Sequence, residues 1–330
     1  GTHMSNNPML SLRNFSVSFD TARGPLYAVR NIDIDVADGE SLGIVGESGS
    51  GKTVLSRGAM GLLPKRAAHR SGTVIYDDHD LSQAPRKELR EYWGTGMAMI
   101  FQDPMTALNP VRRIGSQLTE GLRVRLGMSK KEARGRAIEL LKLVRIPDPE
   151  KALRKFPNQL SGGMRQRVMI AIALACNPKL LFADEPTTAL DVTVQAQILQ
   201  LLSDLRKELN MSMVLVTHDL GVVAGHTDKI AVMYAGEVVE YGETKELFAN
   251  VRMPYTEALL NSIPRLDQKS SGRMTVIEGR LPDPTKPEPG CAFASRCPYV
   301  QDKCRTEHPE LQQSENGHQF RCHFPLGVAK

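Results

Sequence analysis

The stretch GESGSGKT, Gly46 to Thr53, limits what this chain can fold into more than any other. It fits G-x-x-x-x-G-K-[ST]. It follows a short apolar run, SLGIVG, and precedes a segment predicted as a helix from near Gly51 to about Leu63, ahead of Pro64. A strand that runs into a glycine loop and then a helix is the setting in which this pattern cradles phosphates. Glycines let backbone N–H groups crowd around the anion, the helix N-terminus adds positive potential, and Lys52 reaches the β- and γ-phosphates. The candidate binding residues are Gly46, Ser48, Gly49, Ser50, Gly51, Lys52, Thr53 and Val54. The Thr53 hydroxyl is the candidate Mg²⁺ ligand.

The rest of the pattern predicts an α/β fold. MLSLRNFSVSF and LYAVRNIDIDV alternate apolar and polar residues and read as an antiparallel pair joined by TARGP. TVIY, MAMIF, LLFADEP and MVLVTHD read as further strands, VTVQAQILQLLSDLRKEL as a helix, and KIAVMY with EVVEYG as a closing hairpin. Strands alternating with helices imply a parallel sheet, with ligands at the carboxyl ends of its strands. Between Arg113 and Arg145, charged residues and leucines recur at helical spacing, which predicts a helical insert. The basic run from Arg112 to Arg136 reads as a solvated helical face; it has no interleaved aromatics to stack bases, so no nucleic acid is expected. A net charge of +5 allows an acidic ligand such as a nucleotide. The opening GTHM reads as an expression scar. No apolar run is long enough to span a bilayer.

LLFADEP supplies a partner for the cradle. Asp184, at its end, is placed to hold Mg²⁺ directly or through water. Glu185 follows it and can polarise an attacking water as a general base.

A second glycine stretch, LSGGMRQR from Leu160 to Arg167, has no cradle lysine. In order, the chain carries GESGSGKT, Gln102 in IFQDP, LSGG, LLFADEP, TALD (Thr188 to Asp191) and His218 in VTHD. Over about Leu10 to Phe248 this resembles the nucleotide-binding subunit of an ABC transporter. The resemblance implies a P-loop NTPase domain of the ABC type: a mixed sheet core, an antiparallel β subdomain and a helical subdomain. It makes LSGG the signature, its helix beginning near Gly163, with Ser161, Gly162 and Gly163 facing the γ-phosphate of ATP held by the opposite subunit. It makes Gln102 the Q-loop glutamine near Mg²⁺, Asp191 the D-loop aspartate and His218 the switch histidine, catalytic alongside Glu185. The adenine is expected to stack on Phe19, with Tyr27 as the second choice. Met164 departs from the commonest signature residue, a glutamine.

IFQDPMTALNP, PYTEALLNSIP and a tail with GCAFASRCP and FRCH resemble the dipeptide and oligopeptide importers. The implied partners are a second ABC ATPase subunit, identical or different, two transmembrane permease subunits and, indirectly, an extracytoplasmic substrate-binding protein. The implied place is the cytoplasmic face of the inner membrane. Nickel or another small solute is the alternative cargo. A soluble ABC ATPase outside transport is the rival class, set back by the absence of a second cassette. The domain division expected is residues 1–8 as scar and disordered start, 9–253 as the ATPase domain with its helical part at about 103–178, and 254–330 as a C-terminal extension.

The proline-rich LPDPTKPEPG reads as an extended linker. Beyond it lie Cys291, Cys297, Cys304 and Cys322, with gaps of five, six and seventeen residues and no C-x-x-C pair. Four thiolates from a loop-rich segment can converge on one centre; the resemblance makes it a [4Fe–4S] cluster, with Zn²⁺ or free or disulfide-paired thiols as alternatives. His308, His318 and His323 read as solvated surface residues, and Cys176 as a buried small hydrophobe on the signature helix.

Overall fold

The computed structural model describes residues 7–101, 107–263 and 277–327. The chain divides into two compact units, residues 84–214 and the two flanking segments, 1–83 with 215–330.

In the flanking unit, β1 (Leu10–Thr21) pairs antiparallel with β2 (Gly24–Val36) on one side and with β4 (Ala68–Tyr76) on the other. β5 (His79–Asp80) completes the order β2-β1-β4-β5. Alternation explains the sheet's buried face: Leu10 and Leu12 point inward, then Phe15 and Val17. The phase slips between Leu12 and Phe15, where Asn14 adopts φ 46° and its N–H bonds the Asp33 carboxylate at 2.9 Å. That bulge returns the apolar residues to the core side.

A second set of strands in this unit runs β11-β12-β10-β9-β3. β3 (Ser41–Val45) is buried on both faces and lies parallel to β9 (Lys229–Tyr234), as its continuous apolar sequence requires. The helix α1 (Lys52–Met60) leaves β3 through the glycine loop and stops at Gly61, which takes the left-handed conformation. β10 (Glu237–Glu243) closes the hairpin with β9 and receives β12 (Gln319–Phe320) on its outer edge, with β11 (Gln312–Gln313) beyond. The short helices α8 (Leu220–Ala224), α9 (Thr244–Ala249), α10 (Pro254–Asn261) and α11 (Asp302–Thr306) belong to the same unit.

The other unit is mainly helical. It contains α2 (Arg86–Tyr92), α3 (Ile114–Leu126), α4 (Lys130–Leu143), α5 (Pro149–Leu153), α6 (Gly162–Leu174) and α7 (Val192–Glu208). The parallel strands β6 (Met97–Ile100) and β7 (Leu180–Asp184) lie among them, and β8 (Ser212–Thr217) crosses the division. Helix α3 buries Ile114, Leu118 and Leu122 at i, i+4 and i+8, and α4 buries Ala133, Ala137 and Leu140. The basic residues Arg123, Arg125, Lys130, Lys131 and Arg134 are exposed on these helices. Among the described residues, no helix is long and apolar enough to cross a membrane.

Candidate nucleotide site

The glycine loop needs its glycines for three different reasons. A side chain at Gly46 would press on the Met233 carbonyl and Ser50 Oγ, each 2.5 Å from where its Cβ would sit. Gly49 (φ 84°) and Gly51 (φ 96°) take left-handed conformations, and a Cβ on Gly51 would collide with the Ala28 carbonyl. Gly51 is also the N-cap of α1 and offers no side chain to cap it. Lys52 is buried and its Nζ donates to the Glu47 carbonyl at 3.2 Å, folded back over the loop. Ser50 Oγ is buried and has no hydrogen-bond partner among the described residues. A buried hydroxyl without a partner calls for an explanation, and a ligand at the loop would supply one. Ser48 is exposed, and Thr53 and Val54 are half-buried on α1.

Beside the loop is a cavity of about 380 Å³. Phe19 and Tyr27 both line it, with Val54, Gly49 and Gly51 on the cradle side. Tyr27 is exposed and carries the Arg30 guanidinium 5.9 Å from its ring centroid. The opposite wall is the proline-rich segment: Leu281, Pro282, Asp283, Pro284 and Pro287. Its sequence reads as a spacer; in the structure it is packed against the cradle, with Leu281 Cδ1 3.3 Å from the Cβ position of Gly49. His218 belongs to the same unit, exposed just past β8.

The remaining candidates lie on the other unit. Asp184 ends β7 and is fully buried. Glu185 is half-buried, with a left-handed φ of 44°. A left-handed side-chain-bearing residue costs on the order of 1–3 kcal/mol and persists where a function or its surroundings hold it. Ser161 is the N-cap of α6, its Oγ accepting from Met164 N–H at 3.2 Å. Capping uses only a lone pair, so the Ser161 O–H is still available to donate. Gly162 and Gly163 open the helix, and their N–H groups carry the positive end of its dipole. Gly163 has a packing reason that the sequence does not reveal. A Cβ there would meet Val194 Cγ1 at 2.7 Å, where α6 approaches α7. Asp191 caps α7, accepting from Val194 N–H at 2.9 Å. Gln102 lies outside the described residues.

Cys291, Cys297, Cys304 and Cys322 line one cavity of about 20 Å³, along with Phe293 and Met253. All four are free thiols. Burial raises Cys291 to about 11 and Cys322 to about 12, and the neighbouring thiols push the same way. Burial raises Cys297 as well. Such thiols resist deprotonation unless a cation joins them. Among the described residues, no group of three or more His, Cys, Asp or Glu is close enough to hold a metal ion. Cys176 sits two residues past the end of α6 and is half-buried.

The expectation that the tail histidines are solvated fails for His318. It is 1% exposed, and its Nε2 is 2.5 Å from Oε2 of the fully buried Glu240. His308 is exposed, as expected, yet its ring is held between Glu237 Oε1 at 2.9 Å and the Gly290 carbonyl at 3.1 Å. A polar side chain in a segment with few apolar residues looks like surface until strand pairing brings a buried carboxylate to it.

Comparison with known proteins identifies the family. The profile described as ABC transporter matches residues 29–188, and the one described as oligopeptide/dipeptide transporter, C-terminal region, matches 239–304. The dipeptide transport ATP-binding protein DppD of Escherichia coli (strain K12) is 48% identical over 321 residues, 97% of this chain and 98% of that protein. DppD of Bacillus subtilis (strain 168) is 48% identical over 315 residues, covering 95% and 94%. The oligopeptide transport ATP-binding protein AppD of the same organism is 47% identical, covering 95% and 96%. A solved dimer of the ATP-binding cassette MJ0796, in a post-hydrolysis state bound to ADP and Pi, superposes with a TM-score of 0.63 at 33% identity. It covers 72% of this chain and 99% of that one. The chain belongs to the ABC transporter family, among its dipeptide and oligopeptide transport ATP-binding proteins.

Proposed function

We propose that this chain binds and hydrolyses ATP to power import of di- or oligopeptides through a membrane transporter. The observation that carries the reading is a pair of anion-directed helix N-termini of different kinds. One, at α1, has the lysine; the other, at α6, has a serine and two glycines but no lysine. Two copies of such a surface complete each other around ATP, each supplying the signature to its partner's cradle. ATP then stabilises the closed pair, because it interacts with both surfaces only there.

In this reading Lys52 and the loop N–H groups bind the phosphates, and Phe19 or Tyr27 stacks on the adenine. Thr53, Gln102 and Asp184 hold Mg²⁺, which neutralises phosphate charge. Glu185 orients and polarises the attacking water and takes its proton; His218 contacts the γ-phosphate. Ser161, Gly162 and Gly163 serve the opposite subunit's ATP, and Asp191 faces across the pair. Residues 9–253 form the ATPase domain, with the helical part at about 103–178, and 254–330 the C-terminal extension. The partners are a second ATPase subunit, two permeases and, through them, an extracytoplasmic binding protein, with this chain peripheral on the cytoplasmic face of the membrane. The names of the relatives support the peptide cargo. Glu185→Gln should keep ATP binding and lose turnover, whereas Lys52→Ala should weaken binding itself. Normal hydrolysis by Glu185→Gln would remove Glu185 as the base. Co-purification with permeases that carry no peptide, and an ATPase unmoved by peptide-loaded binding protein, would remove the cargo.

The four cysteines are proposed to hold a [4Fe–4S] cluster. Their convergence on one cavity supports this, with Zn²⁺ the alternative. The cluster would supply the stability that a short segment lacks. Protein made without oxygen should be brown, with about four iron and four sulfide per chain. Intact, colourless, metal-free protein with four freely titrating thiols would end this reading.

A further inference from the structure

Arg296 lies within the cysteine segment, one residue before Cys297, and reaches the phosphate loop. Its side chain is 2% exposed. Nη1 and Nη2 grip the two carboxylate oxygens of Glu47 at 2.9 and 3.0 Å, the parallel fork that a guanidinium forms with a carboxylate. Nη1 also donates to Tyr234 Oη at 3.3 Å, Nη2 to the Ile277 carbonyl at 3.1 Å and Nε to the Glu278 carbonyl at 2.9 Å. All five guanidinium hydrogens are used. Glu47 is the second residue of the glycine loop. Its N–H donates to Tyr255 Oη at 2.9 Å, and its carbonyl receives both Ser50 N–H and Lys52 Nζ. Tyr234 and Tyr255 pack with Phe293, their ring centroids 4.6 to 5.4 Å apart. The two carbonyls that Arg296 ties down open the segment whose Leu281 and Pro282 wall the cavity beside the cradle. Gly279, at φ 93°, lies against Arg296 Cγ, 2.8 Å from its Cβ position.

We propose that Arg296 is a positioning residue for nucleotide binding: it fixes the phosphate loop through Glu47 and the far wall of the adjoining cavity through the Ile277 and Glu278 carbonyls. The C-terminal segment is thereby part of the nucleotide site. A lysine cannot replace the arginine, because a single ammonium cannot hold two carboxylate oxygens and two carbonyls in one plane. This rests on the nucleotide reading of the cradle.

The test is equilibrium titration of the full chain with MgADP, which avoids turnover. Lys52→Ala serves as the control for the cradle. Arg296→Ala should weaken binding roughly tenfold, about 1.4 kcal/mol, with Arg296→Lys in between. Glu47→Gln, which keeps the side-chain volume, covers the case in which Arg296→Ala does not fold. It should weaken binding by less than Arg296→Ala, which also frees the Ile277 and Glu278 carbonyls, and the double variant should be no worse than Arg296→Ala alone, because the Glu47 contact is already lost there. A purely structural role would lower the melting temperature and leave the Kd of the folded protein unchanged. Kd values for folded Arg296→Ala and Glu47→Gln within about twofold of wild type, or effects that sum in the double variant, would overturn the proposal. Failure of the wild-type chain to bind MgADP would instead overturn the cradle reading on which it stands.

Discussion

Replacing His318 with leucine should open the outer edge of the β9–β10 hairpin and leave the rest of the flanking unit closed. Glu240 is completely buried and accepts three hydrogen bonds: from Arg252 N–H at 2.9 Å, Met253 N–H at 3.1 Å and His318 Nε2 at 2.5 Å. Leucine removes the third donor and leaves the carboxylate in an apolar site. Breaking a buried pair from one side costs about 3–5 kcal/mol. The loss falls on β12, because Phe320 and Gln319 pair with Glu240 and Tyr241. At about 1.4 kcal/mol per power of ten, opening of this edge becomes roughly two to four powers of ten more frequent. Amide hydrogen exchange reads it directly. The Ser314 and Arg321 amides, which bond the His318 and Val239 carbonyls at 2.8 Å each, should lose protection. Amides of β1 and β2 should not. His318→Gln, whose side-chain amide still offers a donor to Glu240, should lose less protection than His318→Leu. A drop of less than tenfold at Ser314 and Arg321, or an equal drop in β1 and β2, would refute the reasoning.

Three further outcomes follow from the same contacts. His308 is held protonated by its bond to Glu237, which outweighs burial, so its pKa lies above the ordinary 6.5. The stability it contributes is complete below that ordinary value and fades as pH rises through the raised one. Limited proteolysis of the tail should therefore speed up as pH rises above the ordinary histidine value, and His308→Gln should flatten that rise, with Arg321 still 3.5 Å from Glu237. Gly163→Val should unseat the start of α6 from Val194 and lower ATPase activity while leaving MgADP binding to the cradle unchanged; unchanged turnover would mean the two helices can part freely. Phe293→Ala, at a fully buried ring between Tyr234 and Tyr255, should cost about 3–5 kcal/mol, visible as a lower urea midpoint. A shift worth under 1 kcal/mol would mean the aromatic cluster is not an anchor.

Local patterns were legible from sequence because local physics makes them. Apolar SLGIV with a glycine loop behind it became β3 and α1, and the SGG stretch became a capped helix start at Ser161. The alternating run of β1 was legible as a strand, yet the bulge at Asn14 was not, because it depends on the partner carboxylate of Asp33. What stayed hidden acts over long separations. Arg296 and Glu47 lie 249 residues apart, and His318 and Glu240 lie 78 apart. No local spacing announces such pairs. Composition marked the proline-rich segment as an extended linker, but stiffness alone does not say that Leu281 will rest against the cradle. Likewise the cysteine gaps offered no ligand spacing, and only the fold of the tail gathers the four thiols at one cavity.

In the proposed cycle, one chain carries half of each of two ATP sites. The most direct measurement is ATPase rate per chain across a dilution series, with the monomer–dimer state followed in the same samples. If the signature of one copy completes the cradle of another, the specific rate should fall towards zero as the protein becomes monomeric, and Glu185→Gln should trap ATP-bound dimers. A specific rate that stays constant down to concentrations where only monomer is present would contradict it.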